Sequence, residues 1–407
     1  MPLTDMQKII VVTGIGVVSP YGIGMAALHA GLVAGKSCLE PAKDIYPGFE
    51  GYLAQVGELP HFAAESGRWY SRSDRLAMVA AEDAVSGFDR RQASFRDSGI
   101  VMASTVAGLS EIDPEIAESP AAWYRRGNLA RASSYSVARV AASVGEHLDI
   151  RGPSCAVSVA CASGAMAIAL GANMLLEGAA PMVLAGGSDA LCPFTLSGFN
   201  ALQSLDREPC RPFDQNRKGL NLGEGAAVLV LETLAGARAR GADVLAVLRG
   251  WAMTNDASHP TAPQKQGIGL SLCINRAMEM ADCGIEEIGY VNAHGTGTPL
   301  NDIAEANAYE SVFRGRSRPV PISSTKSYFG HCLGSAGSIE AGITISAIRS
   351  GTIYPTLRLT DPIESIAVDW VRGEVRHQPL PLAMSASVGF GGSNTVLLFG
   401  DYGSAAV

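Results

Sequence analysis

The amino-acid sequence predicts an α/β fold in which helices cover mostly buried sheets. Short β-branched runs bounded by glycine alternate with longer segments of helical spacing along all 407 residues, and such alternation is typical of layered α/β architectures. The chain is 47% hydrophobic and only 17% charged, so it can bury a large core and is not predominantly disordered. No low-complexity tract or long linker divides the sequence.

Eight apolar runs rich in β-branched residues predict the strands. They are Ile9–Thr13, Ile100–Ala103, Cys155–Ala160, Met182–Ala185, Ala227–Leu231, Val244–Leu248, Gly289–Asn292 and Thr395–Phe399. Six segments with apolar residues at helical spacing predict the helices. They are Gly24–Ala34, Arg75–Val85, Ser163–Leu176, Gly267–Ala281, Asp302–Phe313 and Ser335–Arg349.

The charge and the cysteines exclude several classes of protein. Lys and Arg number 31 against 39 Asp and Glu, a formal net charge of −8, which gives no overall positive field to attract nucleic acid. The eight cysteines form no CxxC pair. We therefore expect reduced thiols and a cytoplasmic protein. The N-terminal residues lack the basic start and small-residue cleavage site of a secretion signal.

One uncharged stretch has the length of a membrane span. No charged residue occurs between Arg151 and Glu177, and about 20 apolar residues suffice to cross a bilayer. The stretch carries Pro153, Asn173 and several serine and glycine residues, however, and a second strand-length apolar run follows it. Its composition favours a buried strand followed by a buried helix, so we expect no membrane span.

Cys161 is a candidate for chemistry because it lies at the junction of a predicted strand and a predicted helix. The helix begins two residues later, at Ser163. A thiol at a helix N-terminus faces the positive end of the helix dipole and free backbone N–H groups, which lower its pKa and make it a better nucleophile. On the residues alone, a small buried hydrophobic side chain is the other interpretation.

Two histidines lie in glycine-rich loops at the ends of predicted elements. His294 follows the strand that ends at Asn292, and His331 precedes the helix that begins at Ser335. One thiol and two imidazoles could form a nucleophile with two polarising groups. His259, in a polar loop, is a weaker candidate for lining a ligand site.

Two cofactor classes compete with this interpretation. Structural zinc sites pair their ligands at close spacing, as in C-x₂₋₄-C or H-x₃₋₅-H, and the sequence contains no such pair, so we expect no metal. The Gly14-x-Gly16 string has Ser19 where a dinucleotide-binding motif has its third glycine. This departure argues against a nicotinamide or flavin cofactor.

Six motifs occur in order along nearly the whole chain. They are Val11–Gly16 (VVTGIG), Ala160–Gly164 (ACASG), Asn221–Ala226 (NLGEGA), His294–Asp302 (HGTGTPLND), Lys326–His331 (KSYFGH) and Gly389–Asn394 (GFGGSN). Together they resemble the β-ketoacyl-acyl carrier protein synthases, specifically the elongating, decarboxylating enzymes of fatty acid and type II polyketide systems. The resemblance implies a thiolase-like fold of two similar halves in a layered α-β-α-β-α arrangement. Residues 1–250 would carry the nucleophile and residues 251–407 the two histidines.

The resemblance implies a role for each matching residue and no metal or redox cofactor. Cys161 corresponds to the nucleophile that takes the acyl chain from a carrier-protein thioester. His294 and His331 correspond to the pair that promotes malonyl decarboxylation and stabilises the enolate. Lys326 corresponds to the residue that sets the electrostatics around these histidines, with Glu305 and Glu340 as supporting acids. Phe390 corresponds to the gate, and the Cys161 and Phe390 N–H groups to the oxyanion hole. The contacts for the substrate's pantetheine arm would be Thr296, Thr298 and Asn394.

Residue types separate the alternatives within the superfamily. Initiating synthases that use acetyl-CoA carry His and Asn beside the cysteine, whereas both partners here are histidine. Degradative thiolases carry a second catalytic cysteine near the C-terminus, where this chain has GFGG at 389–392. Chain-length-factor subunits have lost the nucleophile, which is present here as Cys161. We therefore expect an elongating enzyme; a non-catalytic scaffold subunit and, more weakly, a Cys–His hydrolase are the alternatives.

The resemblance also implies partners. An acidic acyl carrier protein would dock on a basic patch, although lone surface arginines are often simply solvated. The patch comprises Arg72, Arg75, Arg125, Arg126 and Arg207. A dimer is expected, either with an identical subunit or with a nucleophile-free paralogue. Segments 198–202, 210–214 and 219–225 resemble specialised polyketide and polyene synthases somewhat more than the fatty acid enzyme, which leaves the acyl chain and the pathway open.

Overall fold

Two halves of the chain repeat one strand order within a single mixed sheet. The computed structural model describes residues 5–60, 62, 69–111 and 132–403. The main strands of the large sheet are β1 Ile10–Ser19, β2 Gly99–Ala103, β3 Ser154–Val157, β4 Met182–Asp189, β5 Gly225–Thr233, β6 Ala246–Asn255, β7 Tyr290–Asn292, β8 Val320–Ser323, β9 Val368–Trp370, β10 Leu382–Gly389 and β11 Ser393–Gly400.

The order across this sheet is β9-β8-β7-β10-β11-β6-β1-β5-β4-β2-β3. Counted outward from the central pair, the first half has the order β1, β5, β4, β2, β3 and the second half has the order β6, β11, β10, β7, β8. In each half the first strand is therefore followed by the last. The second half adds β9 at the edge. In both halves the last strand runs antiparallel to its neighbours, and the outer strands run parallel to one another. The repeated order confirms two similar halves. The second half begins with β6, so the predicted boundary at residue 250 falls inside that strand.

Helices cover the sheet on both sides. Those of six residues or more in the described part of the chain are α1 Met25–Val33, α2 Arg72–Ala84, α3 Ala138–Leu148, α4 Ser163–Leu176, α5 Pro193–Ala201, α6 Leu234–Ala239, α7 Ile268–Met280, α8 Pro299–Phe313 and α9 Ala336–Ser350. The shorter elements are the helical turns Asp5–Lys8, Ala42–Ile45, Ala93–Arg96, Ala107–Glu111, Ile285–Glu287, Lys326–Phe329, Leu333–Ser335 and Phe390–Gly392, and the strands Gly22–Ile23, Glu40–Pro41, Tyr52–Ala54, Leu222–Gly223, Thr352–Ile353 and Arg376–His377.

Helices α4 and α9 form the middle layer of the molecule. They pack on each other; α4 also packs on β2 and β4, whereas α9 packs on β10 of the second half and β5 of the first. Helices α2 and α7 cover the outer faces of the two halves. Nearly every residue of α9 is buried, and α4 carries no charged residue, as expected for helices enclosed on all sides.

The two middle helices cross at a pair of glycines. A Cβ built on Gly164 would lie 2.8 Å from the Gly334 carbonyl oxygen, and one built on Gly337 would lie 2.7 Å from the Ala165 nitrogen. The helix backbones therefore touch with no side chain between them. Because Gly164 and Gly337 are each the second residue of their helix, the crossing brings the two helix N-termini together.

The structure confirms the predicted elements and adds others. All eight predicted strands and six predicted helices are present, with ends that differ by up to seven residues. The uncharged stretch is β3 followed by α4, and none of the described helices is both long and apolar enough to cross a bilayer. The strand β10 was not predicted, because Ser385 and Ser387 interrupt its apolar pattern, and both serines are fully buried.

Replacing Gly337 by alanine is expected to destabilise the fold, because the new methyl group would have to displace the backbone at Ala165. Overpacking of this kind costs about 1–3 kcal/mol. The matched control is Gly342→Ala in the same helix. There the added Cβ makes an ordinary contact, 3.4 Å from the Met25 sulfur, and helix propensity favours alanine by roughly 1 kcal/mol. Denaturant unfolding checks this prediction; equal free energies of unfolding for the two variants would contradict it.

Candidate active site

Cys161 lies on a tight turn between β3 and α4. Ala160, immediately before it, has φ +53°, a left-handed conformation that costs free energy for a residue with a side chain. The Ser163 hydroxyl holds the turn by accepting from the Val159 N–H at 2.8 Å and donating to the Ala160 carbonyl. A Cβ on Gly389 would lie 3.2 Å from the Cys161 nitrogen. The turn is thus fixed from both sides, and Cys161 is 7% exposed.

Glu305 fixes the loop that carries His294. The His294 and Gly295 N–H groups donate to its two carboxylate oxygens at 2.9 and 2.6 Å, and the Asn301 amide and Tyr309 hydroxyl donate to it as well. Glu305 lies on α8, the helix that follows the loop. Burial, reinforced by the neighbouring Asp302, raises the pKa of Glu305 to about 7.

Lys326 fixes the tautomer of His294. Its ammonium forms a buried ion pair with Glu340 and lies 3.2 Å from His294 Nδ1. Because an ammonium only donates, Nδ1 accepts and Nε2 carries the ring proton. Burial and the charge of Lys326 hold the pKa of both His294 and His331 well below the usual 6.5. Both imidazoles are therefore neutral near pH 7.

His331 is held through its backbone. Its N–H donates to the Asn221 carbonyl at 2.8 Å, and its carbonyl accepts from the Gly223 N–H at 3.0 Å. Both ring nitrogens are buried and have no hydrogen-bond partner among the described residues. Buried polar atoms without partners are rare in folded proteins. The His331 ring is therefore available to a molecule that enters the cavity.

The thiol and the two imidazoles converge in one cavity. The Cys161 sulfur and one ring nitrogen each of His294 and His331 lie within 4.8 Å of one another, and the two rings stand at 86° with centroids 5.1 Å apart. The cavity has a volume of about 320 Å³. Its walls include Phe199, Leu202, Leu220, Thr261, Pro263, Thr296, Thr298, Leu300, Val388 and Phe390.

The same three side chains are the one group in the described part of the chain whose ligand atoms could surround a metal ion. The Lys326 ammonium beside His294 would repel a cation placed there. Neutral imidazoles and a thiol suit proton transfer and nucleophilic attack instead.

The expected lowering of the Cys161 pKa is wrong. Burial raises the pKa of the thiol to about 12, because a thiolate is poorly solvated there. The charge of Lys326 and a hydrogen bond from the Phe390 N–H oppose this rise, whereas the carboxylates of Asp189 and Glu340 add to it. The thiol therefore needs a base when it attacks, and an imidazole lies within reach.

Other residues singled out in the sequence lie around this centre. Thr296 and Thr298 line the cavity, with their hydroxyls 2.9 Å apart. Phe390 packs against Phe199 with ring centroids 5.6 Å apart. His259 supports the wall from behind, since its Nδ1 accepts from the Thr261 and Ala262 N–H groups.

Asn394 does not contact the cavity, contrary to expectation. It is 1% exposed, and its amide donates to Asp256 at 2.8 Å and to the Gly392 carbonyl at 3.1 Å. Asn394 therefore stabilises the loop that carries Phe390 rather than binding substrate.

Of the three predicted docking arginines in the described part of the chain, Arg207 alone has a largely exposed side chain. The Arg72 guanidinium is bound inside the protein by Glu224 and by the Val56 carbonyl, so it serves the fold. Arg75 pairs with Glu111 at 3.3 Å. The side chain of Arg207 is 84% exposed and only loosely paired with Glu50. Arg125 and Arg126 lie outside the described residues.

Several residues of the site were not singled out individually in the sequence. The cavity wall formed by Phe199, at the end of α5, by 202–204 and by 261–263 belongs to segments that carry none of the six motifs. Asp302, which accepts from the Thr296 and Gly297 N–H groups, could have been found as an acid in the first turn of α8, where it stabilises the helix N-terminus and the preceding loop.

Comparison with known proteins adds to this geometry. Residues 7–237 match the model of the β-ketoacyl synthase N-terminal domain, and residues 245–360 match that of its C-terminal domain. The chain is 32% identical to the chloroplastic 3-oxoacyl-[acyl-carrier-protein] synthase I of Arabidopsis thaliana, over 98% of this chain and 88% of that protein.

Two solved structures have the same fold. The ishigamide ketosynthase/chain length factor is 29% identical with a TM-score of 0.87, covering 97% of this chain and 99% of that one. A ketosynthase in complex with a type II PKS acyl-carrier protein is 28% identical with a TM-score of 0.83, covering 96% and 99%. The predicted thiolase-like fold is confirmed by these likenesses.

Alkylation of Cys161 by iodoacetamide is expected to accelerate continuously from about pH 7 to pH 10. A pKa near 12 means that the thiolate fraction still rises about tenfold per pH unit there, whereas an ordinary thiol levels off above its pKa of about 8.5. The rate is measured by mass spectrometry of the peptide that contains Cys161, with Cys161→Ala as the blank. A plateau below pH 9 would show that the helix dipole and Lys326 outweigh burial.

Proposed function

The chain belongs to the β-ketoacyl synthase family, and we propose that it is an elongating β-ketoacyl-acyl carrier protein synthase. It takes an acyl chain onto Cys161 and condenses that chain with malonyl-acyl carrier protein with loss of CO₂. The observation that carries the proposal is the convergence of one buried thiol and two neutral imidazoles in a single cavity. Neither step needs a metal or a redox cofactor.

In the first step the Cys161 sulfur attacks the thioester carbonyl of a carrier-bound acyl chain. The new S–C bond forms, the carrier's S–C bond breaks, and the thiol proton passes through an imidazole to the departing carrier thiolate. The Phe390 N–H already donates toward the thiol. Together with the Cys161 N–H it would bind the tetrahedral oxyanion, where one lost donor typically costs about 10²- to 10³-fold in rate.

In the second step the malonyl group loses its carboxylate. The C–C bond to CO₂ breaks, and its electron pair forms an enolate, whose oxygen accepts hydrogen bonds from the two imidazoles. His294 is suited to donate because Lys326 leaves the proton on Nε2. The enolate carbon attacks the Cys161 thioester, the S–C bond breaks, and the freed thiolate takes up one proton. Neutral imidazoles stabilise this anion as hydrogen-bond donors.

The acyl chain and the pantetheine arm fit different walls of the cavity. Phe199, Leu220 and Phe390 present apolar surface beside the thiol, which suits a hydrocarbon chain. Thr296 and Thr298 also line the cavity, with their hydroxyls 2.9 Å apart, which suits the amides of the arm. These contacts favour a long carrier-bound thioester over a small soluble substrate.

An acyl carrier protein is the proposed partner at the cavity mouth. Leu202 and Leu300 line the cavity and are 50% and 64% exposed, so apolar surface surrounds its entrance. Arg207 lies five residues beyond Leu202 and its side chain is 84% exposed. An exposed arginine close in sequence to an apolar cavity mouth suits an acidic carrier whose thioester arm enters the cavity.

A second subunit is proposed at the edge of the sheet formed by β3. Strand β3 ends the sheet order, and Ser154 and Cys155 on it are exposed. An exposed edge strand is a template for pairing with another chain. The second subunit is either an identical copy or a nucleophile-free paralogue, and we place the assembly in the cytoplasm because the chain keeps eight free cysteines.

Replacing Cys161 by alanine is expected to abolish both the acyl-enzyme and the condensation product, because the variant has no atom to carry the acyl chain. The control is Cys283→Ala, which removes a partly buried thiol outside the cavity. Products are measured by mass spectrometry of the carrier protein, with the partner subunit and substrates held constant. Unaltered product from Cys161→Ala would favour the non-catalytic scaffold.

Replacing Arg207 by glutamate is expected to raise the apparent KM for carrier-bound substrate several-fold and to leave the KM for a small thioester mimic unchanged. The control is Arg314→Glu, an exposed arginine just past the far end of α8, about 20 Å from the cavity mouth by helix rise. Steady-state kinetics with both substrates check the prediction. Equal effects on the two substrates, or equal effects of the two variants, would reject docking at this rim.

A further inference from the structure

Asp189 is a buried carboxylate to which the steps above assign no role. It is the last residue of β4 and is fully buried. Its oxygens accept from the Ser104 hydroxyl at 2.6 Å, the Thr105 hydroxyl at 2.6 Å, and the N–H groups of Thr105, Val106 and Gly334 at 3.0, 2.9 and 2.7 Å. None of these donors is a cation. A buried carboxylate held only by neutral donors acts as a multiple acceptor that joins separate segments of the chain.

The segments joined by Asp189 contain two strained turns. Leu333, immediately before Gly334, has φ +51°, and Ala107 has φ +46°. Residues with side chains keep such angles only where the surroundings hold them. Asp189 Oδ2 accepts a hydrogen bond directly from the Gly334 N–H. Oδ1 accepts a hydrogen bond from the Ser104 hydroxyl, and the oxygen of that hydroxyl accepts in turn from the Ala107 N–H at 2.8 Å. One carboxylate therefore restrains both turns.

The Leu333 turn connects His331 to α9. The backbone of His331 is fixed by hydrogen bonds to Asn221 and Gly223. Three residues further along the chain, the Gly334 N–H is fixed by its hydrogen bond to Asp189. The His331 ring has no partner of its own among the described residues. Its distance from the Cys161 sulfur therefore depends on where these two backbone anchors hold it.

The second of these anchors, the hydrogen bond from Gly334 to Asp189, is tightly packed. A Cβ on Gly334 would lie 2.7 Å from Asp189 Oδ2, and one on Gly187, two residues before Asp189, would lie 2.9 Å from the Gly334 carbonyl oxygen. The turn is pressed against the end of β4. Moving the Asp189 oxygen would therefore move Gly334, and with it the segment that carries His331.

We propose that Asp189 is a positioning residue for decarboxylation: by accepting the Gly334 N–H it fixes the strained Leu333–Gly334 turn and so sets the His331 imidazole at working distance from Cys161. This inference rests on the proposed function. Asp189 would matter most for decarboxylation, in which the His331 ring must hydrogen-bond to the enolate directly. It would matter less for acyl transfer to Cys161, where an imidazole only relays a proton and the oxyanion donors belong to other segments.

The test is Asp189→Asn compared with Thr105→Val. Asparagine keeps the shape of the side chain but replaces one of its two acceptor oxygens with an NH₂ group, which only donates. If the remaining oxygen accepts from Ser104 and Val106, no acceptor is left for the Gly334 N–H. Thr105→Val removes one hydroxyl donor from the same carboxylate and leaves the bond to Gly334 intact. Acyl transfer and malonyl decarboxylation are measured separately, by mass spectrometry of the Cys161 peptide and by CO₂ release.

The expected result for Asp189→Asn is a decarboxylation rate lower by about 10- to 100-fold, since small misplacements at an active site cost this much. Acyl transfer should not fall by more than about threefold, because the lost Asp189 charge is one that raises the pKa of Cys161. Thr105→Val should keep both rates. An equal loss in the two steps, an equal loss in the two variants, or no loss at all would overturn the proposal.

A second variant and a second readout keep the test decisive. If Asp189→Asn does not fold, Asp189→Glu retains the carboxylate but shifts it by one methylene; selective loss of decarboxylation is again expected, and wild-type rates would overturn the proposal. If the wild-type protein catalyses neither step, the proposed function fails. Positioning is then read from the His331 ring signal in NMR spectra, assigned with His331→Gln. A shift in Asp189→Asn but not in Thr105→Val supports the proposal, and an unmoved signal overturns it.

Discussion

The crossing of α4 and α9 at Gly164 and Gly337 is the contact on which the rest of the molecule depends. Each helix belongs to one half, and each begins just after a turn that carries one reactive side chain, Cys161 or His331. Because the helix backbones touch within their first turns, those two turns meet in one place. The duplicated strand order explains why: two copies of the same unit, packed through the same helix, present equivalent turns to each other. The site lies where the halves meet.

The electrostatics of the site follow from how deeply it is buried. Burial opposes charge on the thiol and on both imidazoles, so their pKa values move toward the neutral form. The Lys326 ammonium is balanced by Glu340. The resting cavity therefore holds neutral reactive groups beside one paired charge, with N–H donors already oriented. Anionic intermediates would find these donors in place without reorganisation, which is how preorganised sites stabilise developing charge.

The sequence was most informative where local patterns decide structure. Helix α4 is predicted with its observed bounds, and the position of Cys161 at a strand–helix junction follows from that element alone. Spacing could not show that Cys161, His294 and His331 meet, because the contact depends on packing between the halves. The residue types only suggested this grouping, and the family resemblance supported it. The thiol pKa was misjudged because a local argument about the helix dipole omits burial. Asn394 and Arg72 were misassigned for a similar reason: their partners, Asp256 and Glu224, lie far away in the sequence.

The most direct test of the account follows the acyl group itself. The wild-type protein is loaded from an acyl carrier protein, the cysteine peptides are weighed, and malonyl carrier protein is then added. The account predicts one acyl adduct, on Cys161, that is discharged as a β-ketoacyl chain on the carrier with release of one CO₂. An adduct on another cysteine, or discharge of the Cys161 adduct as a free acid, would contradict it.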